Sequence, residues 1–355
     1  MDFFPGWGVS NLGHCHPKVV AAVRDQIDKL IHIPNNLYHP NQAKLAKELI
    51  RVSFPGRVFF CNSGTEANEA AIKFCRAYGQ EKRFEIITTT NSFHGRTMGS
   101  LAATGQVKHQ QGFAPLPQGF KMVPFNDLDA IKSAVNDKTV AIMFELIQGE
   151  GGIHIAAPEY VKAIRQLCDE KNILLVIDEI QTGMGRTGEM FAFKKYGIRP
   201  DVMTLAKALG GGLPIGAMIV DAKLATVFKP GMHGSTFAGS PLVSKAALAV
   251  LKVMGDGKIL KNVKTLEPYL RGKLLSLKEK FSCIADVRGV GLMFGVELKG
   301  DVGPKIFAKC LEHGLIINCT QGNVLRIMPA LVVTKKQIDK AVYVIGKSIE
   351  AVTDQ

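Results

Sequence analysis

No apolar run in this chain approaches the ~20 residues that a membrane-spanning helix needs; the runs are short pieces such as Ile173 to Ile177, so no membrane role is expected. The N-terminus has no basic stretch leading into a long apolar one, so no secretory signal is read and the expected location is the cytoplasm. None of the seven cysteines forms a C-x-x-C pair, and thiols at strand-like positions such as Cys61 are expected to stay reduced. His14-Cys15-His16 has no further ligands nearby at defined spacing, so no metal is expected. Acidic residues are scarce, 31 against 44 lysines and arginines, which gives a formal net charge of +13. The lysines scatter over segments such as Lys258 to Lys280 and Lys335 to Lys347. They form no arginine-rich run and no aromatic ladder, so no nucleic acid is expected as a partner. Attraction of anionic small molecules is sufficient benefit for that charge. Repeats, low-complexity tracts and flexible linkers are also missing. Trp7 is the only tryptophan.

What remains describes a globular enzyme. With 355 residues, 46% of them hydrophobic, the chain can bury a substantial core and divide into a large and a small domain. Apolar residues at helical spacing predict helices over Lys18 to Ile31 and Asn41 to Val52, after which strands and helices alternate to about residue 220. Strands are read at Arg57 to Phe60, Thr139 to Phe144 and Ile215 to Val220, with a helix over Pro158 to Lys171. This pattern is that of a doubly wound α/β domain. Long helices over Pro241 to Met254 and Leu260 to Phe281 lead into strands within Ile284 to Leu298, Leu315 to Cys319 and Val324 to Met328. A helix from Lys335 to Val352 closes this smaller α+β domain.

Two strand ends carry candidate chemistry. Ile173-Leu-Leu-Val-Ile-Asp178 is an unalternating apolar run ending in an acid, and Lys207 lies just beyond Asp201-Val-Met-Thr-Leu205. Such runs read as parallel strands buried on both faces, and ligands bind outside the carboxyl ends of such strands. An acid and a lysine in one crevice suit an aldehyde cofactor held on the lysine with the acid paired to a ring nitrogen, as pyridoxal phosphate requires. A salt bridge at a sheet end uses the same two residues. Further along, Cys61-Asn-Ser63-Gly64-Thr65-Glu66 opens a helix whose unpaired N–H groups, with the Ser63 and Thr65 hydroxyls, form a phosphate seat; an ordinary N-cap looks the same. Phe93 can stack on a pyridine ring, and Arg96 can grip a carboxylate through paired hydrogen bonds; as a core phenylalanine and a surface charge they would need no ligand.

Gly183-Met-Gly185-Arg-Thr-Gly188 matches the G-x-G-x-x-G pattern, but it does not follow directly on a strand, and no acid ends a second strand ~20 residues later. A nicotinamide site is therefore not expected.

The ordered set Asn11 to Pro17, Phe60 to Glu69, Ser92 to Thr97, Ile147 to Gly152, Asp178 to Gly183, Lys207 to Gly212, Gly234 to Gly239 and Asn323 to Pro329 resembles the class III (subgroup II) aminotransferases of PLP fold type I. The resemblance runs from about residue 2 to the C-terminus. It implies a large domain with a mostly parallel sheet between helices and a smaller α+β C-terminal domain. The corresponding divisions are a short N-terminal segment over 1–37 packing with the small domain, a large domain over 38–250 and a small domain over 251–355. It implies that Lys207 bonds the cofactor and shuttles the reaction's proton, that Asp178 keeps the pyridine nitrogen protonated, and that Gln181 contacts the ring hydroxyl. Gly64 and Thr65 would bind the phosphate. Thr236 would complete that site from a partner subunit, with Ser235 beside it near the substrate, so that a homodimer shares its active sites.

By the same resemblance, Arg96 would hold the α-carboxylate of an ω-amino donor and Arg326 the dicarboxylate 2-oxoglutarate or glutamate, with Glu150 covering Arg326 when the donor is bound. The implied reaction moves the δ-amino group of N-acetylornithine to 2-oxoglutarate, a step of arginine biosynthesis. Succinyldiaminopimelate, succinylornithine, ornithine and 4-aminobutyrate are alternative donors. A PLP aminomutase of the glutamate-1-semialdehyde kind, or a relative without turnover, is a further reading, opposed by the presence of Arg96, Arg326, Lys207 and Asp178. Three departures from the family pattern stand out. An N-terminal arm is expected to be missing or very short; Leu146 stands where proline is common; and Trp7 occupies a position that can shape the substrate pocket.

Overall fold

The computed structural model describes residues 1–353. The apolar runs form β1 (Gly56–Cys61), β2 (Glu85–Thr89), β3 (Phe120–Val123) and β4 (Thr139–Phe144). A small hairpin of β5 (Ile147–Gln148) and β6 (His154–Ile155) follows, then β7 (Leu174–Asp178), β8 (Val202–Leu205) and β9 (Gly216–Asp221). Strands β4, β7, β8 and β9 are buried at every position, as expected of a sheet covered by helices on both faces. The seven long strands make one sheet in the order β1-β9-β8-β7-β4-β2-β3. Only β9 runs against the others, pairing antiparallel with both β1 and β8. A parallel crossover needs a dozen or more residues, usually a helix, whereas the 206–215 connection holds only a short 3₁₀ turn at Lys207–Gly210. The chain therefore reverses directly.

The C-terminal part builds a separate antiparallel sheet from β10 (Ile284–Val290), β11 (Met293–Leu298), β12 (Asn318–Thr320) and β13 (Val324–Ile327), in the order β10-β11-β13-β12. The helices Lys258–Lys280 and Gly303–Glu312 pack on it, and Lys335–Thr353 packs on both of these helices. The chain start joins this sheet: Phe3 N–H donates to Ile316 O and Met328 N–H to Phe3 O, both at 2.8 Å. The helix Pro17–Ile27 packs instead on Pro241–Met254. The expected 1–37 segment thus divides between two neighbourhoods, and the expected boundary at 250 falls inside the helix Pro241–Met254.

The first helix stops at Ile27 rather than Ile31. Gln26 ends it by accepting the Leu30 N–H on its carbonyl and donating from its side chain to the Leu30 carbonyl. Leu30 and Ile31, which prolong the helical spacing, stay exposed.

Candidate active site

A cavity of about 420 Å³ opens at the carboxyl edge of the large sheet, within the range of small-molecule sites. Ser63, Gly64, Thr65, Phe93, Arg96, Glu150, Asp178, Gln181 and Lys207 all line it, although they derive from five separate stretches of chain. A second chamber adjoins it, sharing Phe93, Arg96, Glu150 and Lys207 and adding Trp7 and the 318–322 turn.

Asp178 ends β7 and is 4% exposed. Its Oδ2 accepts the Asn68 Nδ2–H at 2.8 Å and lies 2.8 Å from His94 Nδ1, while Oδ1 accepts the Ile180 N–H at 3.0 Å. Three partners fix the carboxylate plane. Lys207 stands at the exit of β8 with a left-handed φ of 43°, a conformation costly for a residue with a side chain and retained where surrounding structure imposes it. Burial pushes its ammonium below the ordinary lysine range, Glu150 opposing the shift and Arg326 adding to it. The shift favours the neutral, nucleophilic form of the amine.

On the opposite wall, Ser63 caps the helix Gly64–Tyr78, its Oγ accepting the Glu66 N–H at 3.2 Å. The ordinary N-cap and the anion seat are the same structure here. The cap consumes an acceptor lone pair and leaves the Ser63 proton and the first helical N–H groups free to donate. Gly95 is required for the loop that carries Phe93 to lie against this seat: its φ is +132°, and a Cβ there would sit 2.2 Å from Thr65 Oγ1.

At the far end, the fully buried Arg326 guanidinium forms a two-pronged ion pair with Glu150, Nη1 to Oε1 at 2.8 Å and Nη2 to Oε2 at 3.1 Å. It also donates to the Gly149 carbonyl at 2.7 Å and to Asn318 Oδ1 at 3.1 Å. Burial alone would raise the Glu150 carboxyl, but the Arg326 charge and hydrogen bonds outweigh it and hold the carboxyl below its ordinary value. Gln181, expected at a ring hydroxyl, has its amide nitrogen 3.3 Å from Glu150 Oε1 and its amide oxygen 3.5 Å from Arg326 Nη1. Phe4 and the half-exposed Trp7 lie against the same guanidinium, their ring centroids 4.6 and 5.5 Å from its carbon.

Two expected residues stay outside. Thr236 is exposed and does not line the cavity of its own chain, and Ser235 reaches it only through Asn62, whose Nδ2–H donates to Ser235 Oγ at 2.9 Å. Sequence reasoning gave no role to Asn68, His94 or Glu145, all buried and all lining the cavity. A signal exists for Asn68, the single amide among Ala67, Ala70 and Ala71 on a buried helix face, and for Glu145, a charge directly after an apolar strand.

The glycine pattern at 183–188 serves packing. It presents Arg186, fully buried, whose guanidinium donates to the Leu292 and Pro329 carbonyls and to Asn11 Oδ1. Among the described residues no cluster of metal ligands occurs, and all seven cysteines are free.

The cavity suits pyridoxal phosphate on its own terms. It offers an amine of lowered pKa, an oriented buried carboxylate, an aromatic wall and a helix start for the phosphate, and the buried His94 Nε2 and Asn68 Oδ1 lack partners within the chain. Fold and cavity together define a PLP-dependent transferase. The model of the family described as aminotransferase class-III matches residues 1–349, and the chain belongs to that family. It is 54% identical over 346 residues to acetylornithine aminotransferase of Methanocaldococcus jannaschii, covering 96% of this chain and 86% of that protein. Identity to acetylornithine aminotransferase of Caldanaerobacter subterraneus is 50% over 349 residues, covering 97% and 88%. Among solved structures, ornithine aminotransferase from Toxoplasma gondii superimposes with a TM-score of 0.95 at 33% identity, covering 99% of this chain and 86% of that one. N-acetylornithine aminotransferase from Stenotrophomonas maltophilia gives 0.87 at 36% identity, covering 100% and 91%.

Proposed function

We propose that the protein transfers the δ-amino group of N-acetylornithine to 2-oxoglutarate, giving N-acetylglutamate 5-semialdehyde and glutamate, as a cytoplasmic homodimer in arginine biosynthesis. The observation that carries this reading is the buried Arg326–Glu150 pair, 2.8 Å apart, at the end of the cavity that holds Lys207. A buried guanidinium needs a counter-charge throughout the cycle. A dicarboxylate can supply one directly, whereas a donor lacking the second carboxylate leaves that task to Glu150. An intramolecular amino exchange has no use for such a gate. The names borne by the curated relatives at 54% and 50% identity agree with the choice of donor.

Bound pyridoxal phosphate supplies an aldehyde carbon and a ring that accepts electrons. Asp178, held by Asn68 and His94, would keep a proton on the ring nitrogen, and Phe93 would supply the aromatic wall. Gly64 and Thr65 would hold the phosphate, with Ser63 donating beside them. Gln181 would contact the ring hydroxyl. Lys207 Nζ would hold the cofactor and, as a buried amine of lowered pKa, would move the proton at the substrate carbon. Arg96, exposed at the junction of the two chambers, holds the α-carboxylate of the donor, and Trp7 borders the space for its acyl group.

The dimer reading draws on Thr236 and its surroundings. Ile31, Leu37, Tyr38, Met232 and Phe237 are all more than 40% exposed, and His32 meets Phe237 at 5.3 Å between ring centroids. Apolar side chains gathered in this way mark a surface that another chain covers. A second copy there would bring Thr236 and Ser235 toward its partner's cavity. We further take the segments at 1–37, 38–250 and 251–355 as the functional divisions of the chain, the first of them shared between neighbours.

Stopped-flow spectra of the two half-reactions test the proposal. N-acetylornithine alone should convert the cofactor to its amine form, and 2-oxoglutarate alone should reverse this. A protein that responds to 2-oxoglutarate and glutamate but to no N-acylated ornithine would refute the donor assignment.

A further inference from the structure

Glu145 has no part in the chemistry above, yet it follows directly on β4, is 5% exposed and lines the cavity. Its two oxygens serve two different segments: Oε2 accepts the Phe93 N–H at 3.0 Å and Oε1 accepts the Gly149 N–H at 3.2 Å. Phe93 supplies the aromatic wall. Gly149 precedes Glu150, and its own carbonyl accepts from Arg326 at 2.7 Å. The small sheet holds this loop from the other side, where Thr320 Oγ1 and Gln321 Nε2 both donate to the Glu150 carbonyl at 2.8 Å and Arg288 Nη2 donates to the Gly152 carbonyl at 2.7 Å. Glu145 is the tether from the large sheet at the residue just before the gate.

We propose that Glu145 is a positioning residue that joins the aromatic wall at Phe93 to the Glu150–Arg326 gate and so sets the balance between the two carboxylate-bearing substrates. This rests on the two-substrate reading above. The chemistry of the group explains why a carboxylate stands here. Two diverging backbone N–H donors need two acceptors, and a carboxyl group, ionised or protonated, has acceptor lone pairs on both oxygens. A glutamine would offer one acceptor and one donor, so one of the two amides would face an N–H and lose its bond.

Glu145→Gln tests this in two independent ways. In the protein without cofactor, hydrogen exchange at the Phe93 or Gly149 amide should quicken by about tenfold, the equivalent of one lost buried hydrogen bond; unchanged protection at both amides would remove the tether. With cofactor, the ratio of the glutamate to the N-acetylornithine half-reaction rates should shift in Glu145→Gln but not when the same change is made in an E150Q background. Equal slowing of both half-reactions, or the same shift in both backgrounds, would overturn the coupling. Glu145→Asp, whose shorter stem cannot reach both amides at once, takes the place of the glutamine variant in both measurements if that variant does not fold. Wild-type protein inert to N-acetylornithine would refute the substrate reading, and the exchange measurement would still judge the tether.

Discussion

A guanidinium shut off from solvent cannot be left alone in either half of a two-substrate cycle. Arg326 is therefore the residue at which the two half-reactions separate most clearly. Arg326→Ala should lower kcat/KM for glutamate by ~1.5–3 kcal/mol or more, the range for hydrogen bonds to a charged group, while the N-acetylornithine half-reaction, proposed to rely on Arg96, keeps most of its rate. Equal loss in both halves, measured by stopped-flow, would contradict the gate. A second prediction concerns Glu145. Burial raises its carboxyl from an ordinary 4.5 to about 7, His94 partly offsetting this and Asp178 adding to it. The folded protein thus holds a proton between about pH 4.5 and 7 that the unfolded chain has released. The resulting stabilisation is complete below the unfolded value and is lost as pH rises through the folded one. Urea denaturation of the cofactor-free protein should show stability falling across this window relative to Glu145→Gln. Parallel curves for the two proteins would contradict the assignment.

At the scale of single elements, the loop that carries Phe93 depends on Gly95, whose missing Cβ leaves room for Thr65. Gly95→Ala should force the loop off the helix start and weaken equilibrium binding of pyridoxal phosphate by about tenfold or more, given a backbone strain of order 1–3 kcal/mol. Fluorescence titration with the cofactor checks this, and unchanged affinity would show that the loop has room to spare. Elements were also where sequence reading worked best. β4 and β7 are legible because a strand buried on both faces is apolar without alternation, and Asp178 and Lys207 are legible because each breaks or follows such a run. Asn68 and His94 were not, because their partner Asp178 lies 110 and 84 residues away and no local pattern announces a bond of that span. The reversal of β9 was equally hidden. Its composition is that of any buried strand, and only the shortness of the 206–215 connection betrays its direction. In the first helix, periodicity overshot through Leu30 and Ile31, whose apolar character belongs to exposed surface.

At the scale of the whole molecule, the assembly of two copies makes the sharpest demand. If Thr236 completes the partner's phosphate seat, Thr236→Ala should lower cofactor retention. Mixing it with Lys207→Ala protein should then create heterodimers with one intact site and one doubly damaged site. Recovery of activity at limiting cofactor, measured after proven subunit exchange, supports the shared site; no recovery argues that each chain is self-sufficient. The Arg326–Glu150 pair has a different consequence, one that concerns time. It joins the β5–β6 hairpin to the small sheet, and its arginine lies on β13, which meets β11 only near the end of the chain. A chain emerging from the ribosome with its N-terminus first has Ser63, Phe93, Asp178 and Lys207 in hand long before Arg326. On the proposed reading, the residues assigned to the cofactor are thus synthesised before the arginine assigned to the dicarboxylate, and a product cut short after β9 would carry the former and lack the latter.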